Sequence, residues 1–452
     1  MKKRILCLAI CAMASSAQAL DTHELTVYTQ KFARQDGLID AGADAVGRDT
    51  NEVELLDVDG DGDLDLYLVQ GTPSIATRRN RLLINNAGNY VDETAARLPA
   101  NIDANSIGSD KADVDGDGDL DIVIANIGGE QLLLNNGNGY FSNATATHLP
   151  PPKPFWMDIS TNAHFVDVNN DGRPDIYITN EIPPIPGAPG DAAQNFLYMN
   201  DGTGHFVDGT WTRLPAWLDT TSSAAFGDID DDGDGDLIVA NVGQDRVLIN
   251  DGTGFFSDQT AARYPSSDDA TRKVALADID DDGDLDVVLA NSRDQQNKLY
   301  LNDGNGNFSD VTESHMPAVR NVANDVDVVD VDCDGDADLY FGNSATSSIA
   351  DGDEHALKPA YNRLYKNVGD GRYIDASHFL MPSDELTTLA SAFGDINGDG
   401  LLDLVLGNAR GEVPTVYFQE RDRESLLRGW LGLQRTQCRP DSSSYSSYRS
   451  HR

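Results

Sequence analysis

The chain has 452 residues, with 33 Lys and Arg against 75 Asp and Glu, and a formal net charge of −42. That excess of acid excludes nucleic acid as a partner, because phosphate binding needs clustered Lys and Arg, and it argues against anionic membrane surfaces for the same reason. No stretch beyond the N-terminus approaches the ~20 apolar residues that cross a bilayer, so no membrane span is expected.

Residues 1–19 read as a secretory signal peptide. Lys2, Lys3 and Arg4 give a positive start, residues 5–13 are a short apolar run, and Ala17-Gln18-Ala19 forms an A-x-A cleavage site. Ile10, before Cys11, is larger than a lipoprotein signal wants, so no lipid anchor is expected. The mature chain is therefore expected outside the cytoplasm of a bacterium, whether periplasmic, secreted or at the cell surface, and as a monomer. Cleavage leaves Cys333 and Cys438, too few for a disulfide framework. Rigidity must come from elsewhere.

The acid is concentrated in seven copies of D-x-[DN]-x-D-G-x-x-D, beginning at Asp57, Asp113, Asp167, Asp228, Asp278, Asp330 and Asp395. A recurring pattern at this kind of spacing marks a repeat architecture. Position three holds Asp59, Asp115, Asn169, Asp230, Asp280, Asp332 and Asn397; position five holds Asp61, Asp117, Asp171, Asp232, Asp282, Asp334 and Asp399. Position six is always Gly, and position nine is Asp65, Asp121, Asp175, Asp236, Asp286, Asp338 and Asp403. Calcium is a hard cation that takes six to eight oxygens and accepts carboxylate, amide and backbone carbonyl together, and the Gly permits the sharp turn that aims them at one point. Converging carboxylates without a cation would repel. Up to seven Ca2+ are expected.

Position seven holds Asp63, Asp119, Arg173, Asp234, Asp284, Asp336 and Leu401. Arg and Leu side chains do not coordinate calcium, so the expected ligand at this position is the backbone carbonyl. An EF-hand is excluded, since it needs flanking helices and a Glu at position twelve. The flanks read as strands instead. An apolar run follows each loop and in six copies ends at Asn126, Asn180, Asn241, Asn291, Asn343 or Asn408, with Gln70 in the first. A second apolar run leads into a hairpin turn such as N-D-G-T-G at 200 and 250 or N-D-G-N-G at 302. An aromatic then opens a further strand, at Tyr90, Phe141, Phe206, Phe256, Phe308 and Tyr373, with Asp or Asn two residues on.

Each repeat is thus four short strands, and the expected fold class is all-β: a seven-bladed β-propeller of four-stranded blades with a calcium loop between the first and second strand of each. The last copy lacks its fourth strand, whereas an orphan aromatic strand around Phe32 precedes the first loop. That N-terminal strand is expected to complete the last blade and close the ring, removing open edges. The expected division is a signal peptide at 1–19, the propeller at 20–419 and an Arg/Ser-rich tail at 420–452, read as disordered.

These features resemble the FG-GAP/VCBS repeat family, the integrin-α-like β-propellers. The resemblance rests on A-D-V-D-G-D-G-D-L-D-I-V-I-A-N at 112–126 and L-Y-L-N-D-G-N-G-N-F-S-D-V-T at 299–312. It implies calcium loops of structural role, on the face opposite the main ligand surface, and leaves the activity open because one fold hosts many. Members include adhesion proteins, calcium-containing lectins and polysaccharide lyases.

Length variation gathers in connections on the other face. An insertion separates Asn180 from Phe196 and another follows Asn343, while Phe155, Trp156, Trp211 and Trp217 stand in links after fourth strands. Long loops on a rigid scaffold are common homes for binding, and Trp stacks on sugar faces. These four aromatics are the candidate ligand residues, with packing between blades as the alternative. A second element, a basic residue before a Pro, recurs at Arg97, His148, Arg213, Arg263, His315 and His378, and is expected to pair with neighbouring carboxylates. Glu54, Asp110, Asp325 and Asp327 are expected to line a channel. No G-x-S-x-G, H-E-x-x-H or phosphate loop occurs, and carboxylate pairs needed by calcium say nothing for a glycosidase. No catalytic residue is assigned. A binding or adhesion module for glycans or cell-surface proteins is the expected function; a carbohydrate-active enzyme on the same scaffold, or a structural unit of a surface assembly, are the alternatives.

Overall fold

The computed structural model describes residues 30–39, 49–71, 78–153, 159–181, 194–217, 219–344, 346–347, 357–358 and 361–421. The signal segment, Phe155, Trp156, Cys438 and the tail beyond Arg421 lie outside them. The described residues form an all-β chain of repeated antiparallel units. The first unit comprises Asp49–Leu56, Asp65–Gly71, Arg81–Asn86 and Asn89–Asp92, hydrogen-bonded in that order.

The same order recurs from Ser106–Ala112, Ser160–Val166, Thr221–Gly227, Asp269–Ala277 and Ala323–Val329. The last unit runs Thr388–Gly394, Asp403–Asn408, Thr415–Arg421, and its fourth strand is Gln30–Gln35, pairing antiparallel with Phe32 opposite Gln419. Thr415–Arg421 continues through Glu420 and Arg421, into the segment read from sequence as tail, because both residues are held in that pairing.

The second strand of each unit is the most deeply placed. Asp121–Asn126, Asp175–Asn180, Asp286–Asn291, Asp338–Asn343 and Asp403–Asn408 are buried throughout, as β-branched and apolar runs between two packed sheets should be. The first strands carry a register shift at the same place in every unit, for example between Thr50 and Glu52 and between Ala323 and Asp325, which increases local twist. Successive first strands lie side by side, and Thr388–Gly394 lies beside Asp49–Leu56.

Apolar clusters fill the spaces between successive sheets. Leu56, Tyr67 and Ile84 of the first unit meet Ile122, Leu133 and Phe141 of the second. An equivalent cluster joins the last unit to the first through Val405, Val416, Val53 and Leu66. Phe32 enters the cluster between the sixth and last units, beside Tyr340 and Tyr417.

Among the described residues, six single-turn helices follow fourth strands, among them Thr94–Arg97 and Thr260–Arg263. They explain the Asp or Asn two residues after each aromatic. Asp92 accepts the backbone N–H of Thr94 at 3.0 Å, and the Thr94 hydroxyl accepts the N–H of Leu82 at 2.9 Å, so the turn is pinned to the third strand. No helix among the described residues is long and apolar enough to cross a membrane.

Candidate metal centres

Each acidic loop is organised first by its own backbone. The carboxylate of Asp57 accepts N–H bonds from Gly60 at 2.8 Å, Asp61 at 3.2 Å and Gly62 at 2.9 Å. The position-one aspartates of the other loops do the same for their positions five and six, as in Asp278 with Asp282 and Gly283. This curl needs a left-handed residue at position four as well as at the conserved Gly. Gly60, Gly116, Asn170, Asp231, Asp281, Cys333 and Gly398 all have φ between 56° and 81° there. The tolerance of Gly, Asn and Asp for that region accounts for most of this set.

The position-nine aspartates tie the loop to the sheet. Asp65 accepts from Val58 N–H at 3.0 Å and Asn85 N–H at 2.7 Å; Asp286 accepts from Ile279 at 2.9 Å and Asn302 at 2.8 Å. Burial pushes Asp121, Asp175, Asp236, Asp286 and Asp403 up to about 7 and Asp65 up to about 6; the two N–H bonds pull the other way, and neighbouring carboxylates reinforce the rise.

Carboxylates then converge. Oxygens of Asp57, Asp59 and Asp61 lie within 4.8 Å of one another, as do those of Asp113, Asp115 and Asp121, of Asp228, Asp230 and Asp236, of Asp278, Asp280 and Asp282, and of Asp330, Asp332 and Asp338. The loops at Asp167 and Asp395 carry Asn169 and Asn397 at position three and so bring one carboxylate fewer. A hard divalent cation suits this donor set, and one structural detail tests the fit. Asp59 Oδ1, Asp230 Oδ1 and Asp280 Oδ1 are buried with no hydrogen-bond partner. A buried carboxylate oxygen without a donor is costly unless a cation faces it.

The position-seven side chains Asp63, Asp119, Arg173, Asp234 and Asp284 lie against the hairpin of their own unit. Asp63 accepts from Ala87 N–H at 2.8 Å, and the Arg173 guanidinium donates to the Gly202 carbonyl. Asp and Arg are interchangeable here because the hairpin offers both a donor and an acceptor. Leu401, at the same position, is buried.

The sixth loop differs. The Lys366 ammonium, with no solvent exposure, lies 2.5 Å from Asp332, 2.8 Å from Asp334 and 3.3 Å from Asp338. Burial alone would lower this lysine, but Asp338, Asp332 and Asp334 outweigh it and hold it above its ordinary value. Sequence reasoning missed Lys366. Its signal was a lone charge at a register position that holds Ile84, Leu134, Met199, Ile249, Leu301 and Phe418 in the other units. Cys333, in the same loop, is disulfide-bonded.

The basic residues before Pro serve the same face. Arg97 pairs with Asp59 at 3.2 Å and donates to the Asn138 carbonyl at 2.7 Å, while Arg263 pairs with Asp230 at 3.2 Å. His148 stacks on His205 at 4.1 Å instead. On the inner strands, Glu54 pairs with Lys111, and Lys273 lies 3.8 Å from both Glu52 and Asp325. Of the candidate ligand aromatics, Trp211 is 56% exposed, whereas Trp217 is 8% exposed, set in the apolar cluster between the third and fourth units with Arg246 5.5 Å over its ring.

A lectin of Agrocybe aegerita, described for its recognition of non-reducing terminal N-acetylglucosamine, is similar at 16% identity over 83% of this chain and 88% of its own, with a TM-score of 0.42. BBS1N, solved in complex with ARL6DN, is similar at 13% identity over 86% of this chain and 97% of its own, with a TM-score of 0.51, a likeness of fold alone. No curated protein matches the sequence. The model of the FG-GAP-like repeat matches at residues 57–124, 113–178, 228–289, 278–341 and 350–406, more than half of the chain, which therefore belongs to the FG-GAP-like repeat family.

Proposed function

We propose that this chain is an exported, calcium-stabilised β-propeller of seven blades that acts as a binding or adhesion module for glycans or cell-surface proteins. The division into a signal peptide at 1–19, a propeller at 20–419 and a tail at 420–452 belongs to the same reading. Closure is supported by the apolar cluster joining the last unit to the first and by Gln30–Gln35 completing the last sheet. Calcium would be held by the carboxylates or amides at positions one, three, five and nine, with the backbone carbonyl of position seven. Bound there, it supplies charge neutralisation and a rigid turn.

The observation that carries the metal reading is the trio of buried, unpartnered carboxylate oxygens on Asp59, Asp230 and Asp280. A binding role follows from what the scaffold leaves over. The position-one loop acids accept from their own backbones, and on the inner strands Glu54, Glu52 and Asp325 pair with Lys111 or Lys273. In antiparallel four-stranded units, the links from second to third strands emerge on the side opposite the acidic loops. That side carries the insertion after Asn343, from which Thr346–Ser347 and Leu357–Lys358 pair as a separate small ribbon. Trp211 adds exposed aromatic area.

A glycan array probed with the full chain in calcium, run beside a polysaccharide-degradation assay, tests the function. Retention on defined glycans without bond cleavage is expected. Release of unsaturated sugars would replace the module with a lyase-like enzyme.

A further inference from the structure

The position-three carboxylates of four loops fall into two kinds. In the loops at Asp57, Asp228 and Asp278 the inward oxygen of Asp59, Asp230 and Asp280 meets no donor. In the loop at Asp330 the equivalent Asp332 Oδ1 accepts from Lys366 Nζ at 2.5 Å. An ammonium carries three donors, and Lys366 spends them on Asp332, Asp334 and Asp338, the residues at positions three, five and nine. These are three of the four side chains a cation would need. The lysine reaches them from the third strand of its own unit, Arg363–Asn367, and its side chain is wholly buried. A divalent ion at the same point would stand within a few ångströms of a fixed positive charge and lose those oxygens to it.

Resting on the calcium reading of the other loops, we infer that Lys366 is a built-in cation: the sixth loop is neutralised by its ammonium, takes no calcium, and leaves the chain with at most six metal sites. The register supports this assignment. Ile84, Leu134, Met199, Ile249, Leu301 and Phe418 hold the equivalent position in the other units, so none of them brings a charge to its loop; Arg97 and Arg263 reach only Oδ2 of Asp59 and of Asp230 and leave Oδ1 of each without a donor. The blade carrying the insertion after Asn343 thus keeps its acidic turn when calcium is scarce.

Two measurements on the full mature chain test the inference. Bound calcium is counted by equilibrium dialysis with elemental analysis for the wild type, Lys366→Leu and Asp282→Ala. The wild type should bind no more than six, Lys366→Leu one more than the wild type, and Asp282→Ala one fewer. Hydrogen exchange of the wild type with and without chelator needs no variant. Amides of 228–236 and 278–286 should exchange about tenfold faster or more on chelation, with 330–338 changing less than about twofold. A seventh calcium in the wild type, an unchanged count in a folded Lys366→Leu, or deprotection of 330–338 alongside the other loops would overturn it. If the wild type binds no calcium at all, the metal reading of the other loops fails instead. The lysine is then judged by Lys366→Leu in chelator, where faster exchange confined to 330–338 upholds its role as counter-ion and unchanged exchange rejects it.

Discussion

The side-chain amide of Asn85 donates to the backbone carbonyl of Ile396 at 3.1 Å, joining residues 311 positions apart. The same bond links neighbours along the chain: Asn135 to Val58, Asn200 to Val114, Asn250 to Val168, Asn302 to Ile229, Asn367 to Ile279, and Gln419 to Val331. In each case an Asn or Gln at or near the end of a third strand holds position two of the preceding acidic loop, and its own N–H is held by position nine of its own loop. Loop, hairpin and neighbouring unit are therefore one hydrogen-bonded array. Asn85→Ala removes the bond that returns the last unit to the first and leaves the buried Ile396 carbonyl short of a donor. A loss of about 1–3 kcal/mol in denaturant unfolding is expected. A loss matching that of Asn250→Ala would mean that the return bond is equivalent to the bonds between sequential neighbours; no loss would mean that the first and last units are held together without it.

Asp282→Ala removes a carboxylate at position five that also accepts the N–H of Asp284 at 3.0 Å. In a quasi-modular array the damage stays near the altered unit. Faster hydrogen exchange is expected over 278–291, with 57–71 and 395–408 near wild-type values. Uniform deprotection of all units would contradict independent loops.

Asp245 gives the pH dependence. It is wholly buried, accepts from Asn241 N–H at 2.8 Å and from the Thr271 hydroxyl at 3.1 Å, and burial pushes it up to about 7. Asn80, Asn195, Asn297 and Asn362 fill the corresponding place elsewhere. Because the folded pKa exceeds the unfolded value, the folded state holds the proton in the window between them. The stability associated with that proton is complete below about pH 4 and is lost as pH rises toward 7. Asp245→Asn should flatten stability over that window and stabilise the protein at pH 8, by an amount on the order of 2–4 kcal/mol. Parallel pH–stability curves for the two proteins would refute it.

Trp211 and Trp217, paired by sequence as ligand candidates, should separate on mutation. Trp217→Ala opens a cavity in the cluster with Leu197, Leu214 and Phe226 and is expected to cost about 3–5 kcal/mol. Trp211→Ala, at an exposed helical turn, should leave the melting temperature within about 1–2 °C and reduce glycan retention. A large fall in stability for Trp211→Ala would place it in the core instead.

The repeat pattern made the strand order legible because burial between two sheets demands apolar second strands, and hairpins demand Asn and Gly. The acidic loops were legible because a nine-residue turn whose first and last aspartates accept backbone N–H groups constrains nearly every position. Lys366 was not, since one strand residue in a register of Ile, Leu and Met reads as a deviation until its loop folds over it. Trp217 and Trp211 looked alike because distance from a strand says nothing about which side of a link meets the next sheet. Arg97 and Arg263 were read correctly as partners of carboxylates, though their reach to Asp59 and Asp230 depends on the single-turn helices.

The account rests on calcium as the agent that lets these clustered aspartates fold, and calorimetric melting of the purified mature chain in calcium and after exhaustive chelation tests it most directly. A ligand bound only by the folded state adds about 2.7 kcal/mol per site at a hundredfold excess over its Kd, so several sites predict a fall in melting temperature of tens of degrees, restored by added calcium. An unchanged melt in a sample shown by elemental analysis to be free of metal would contradict it.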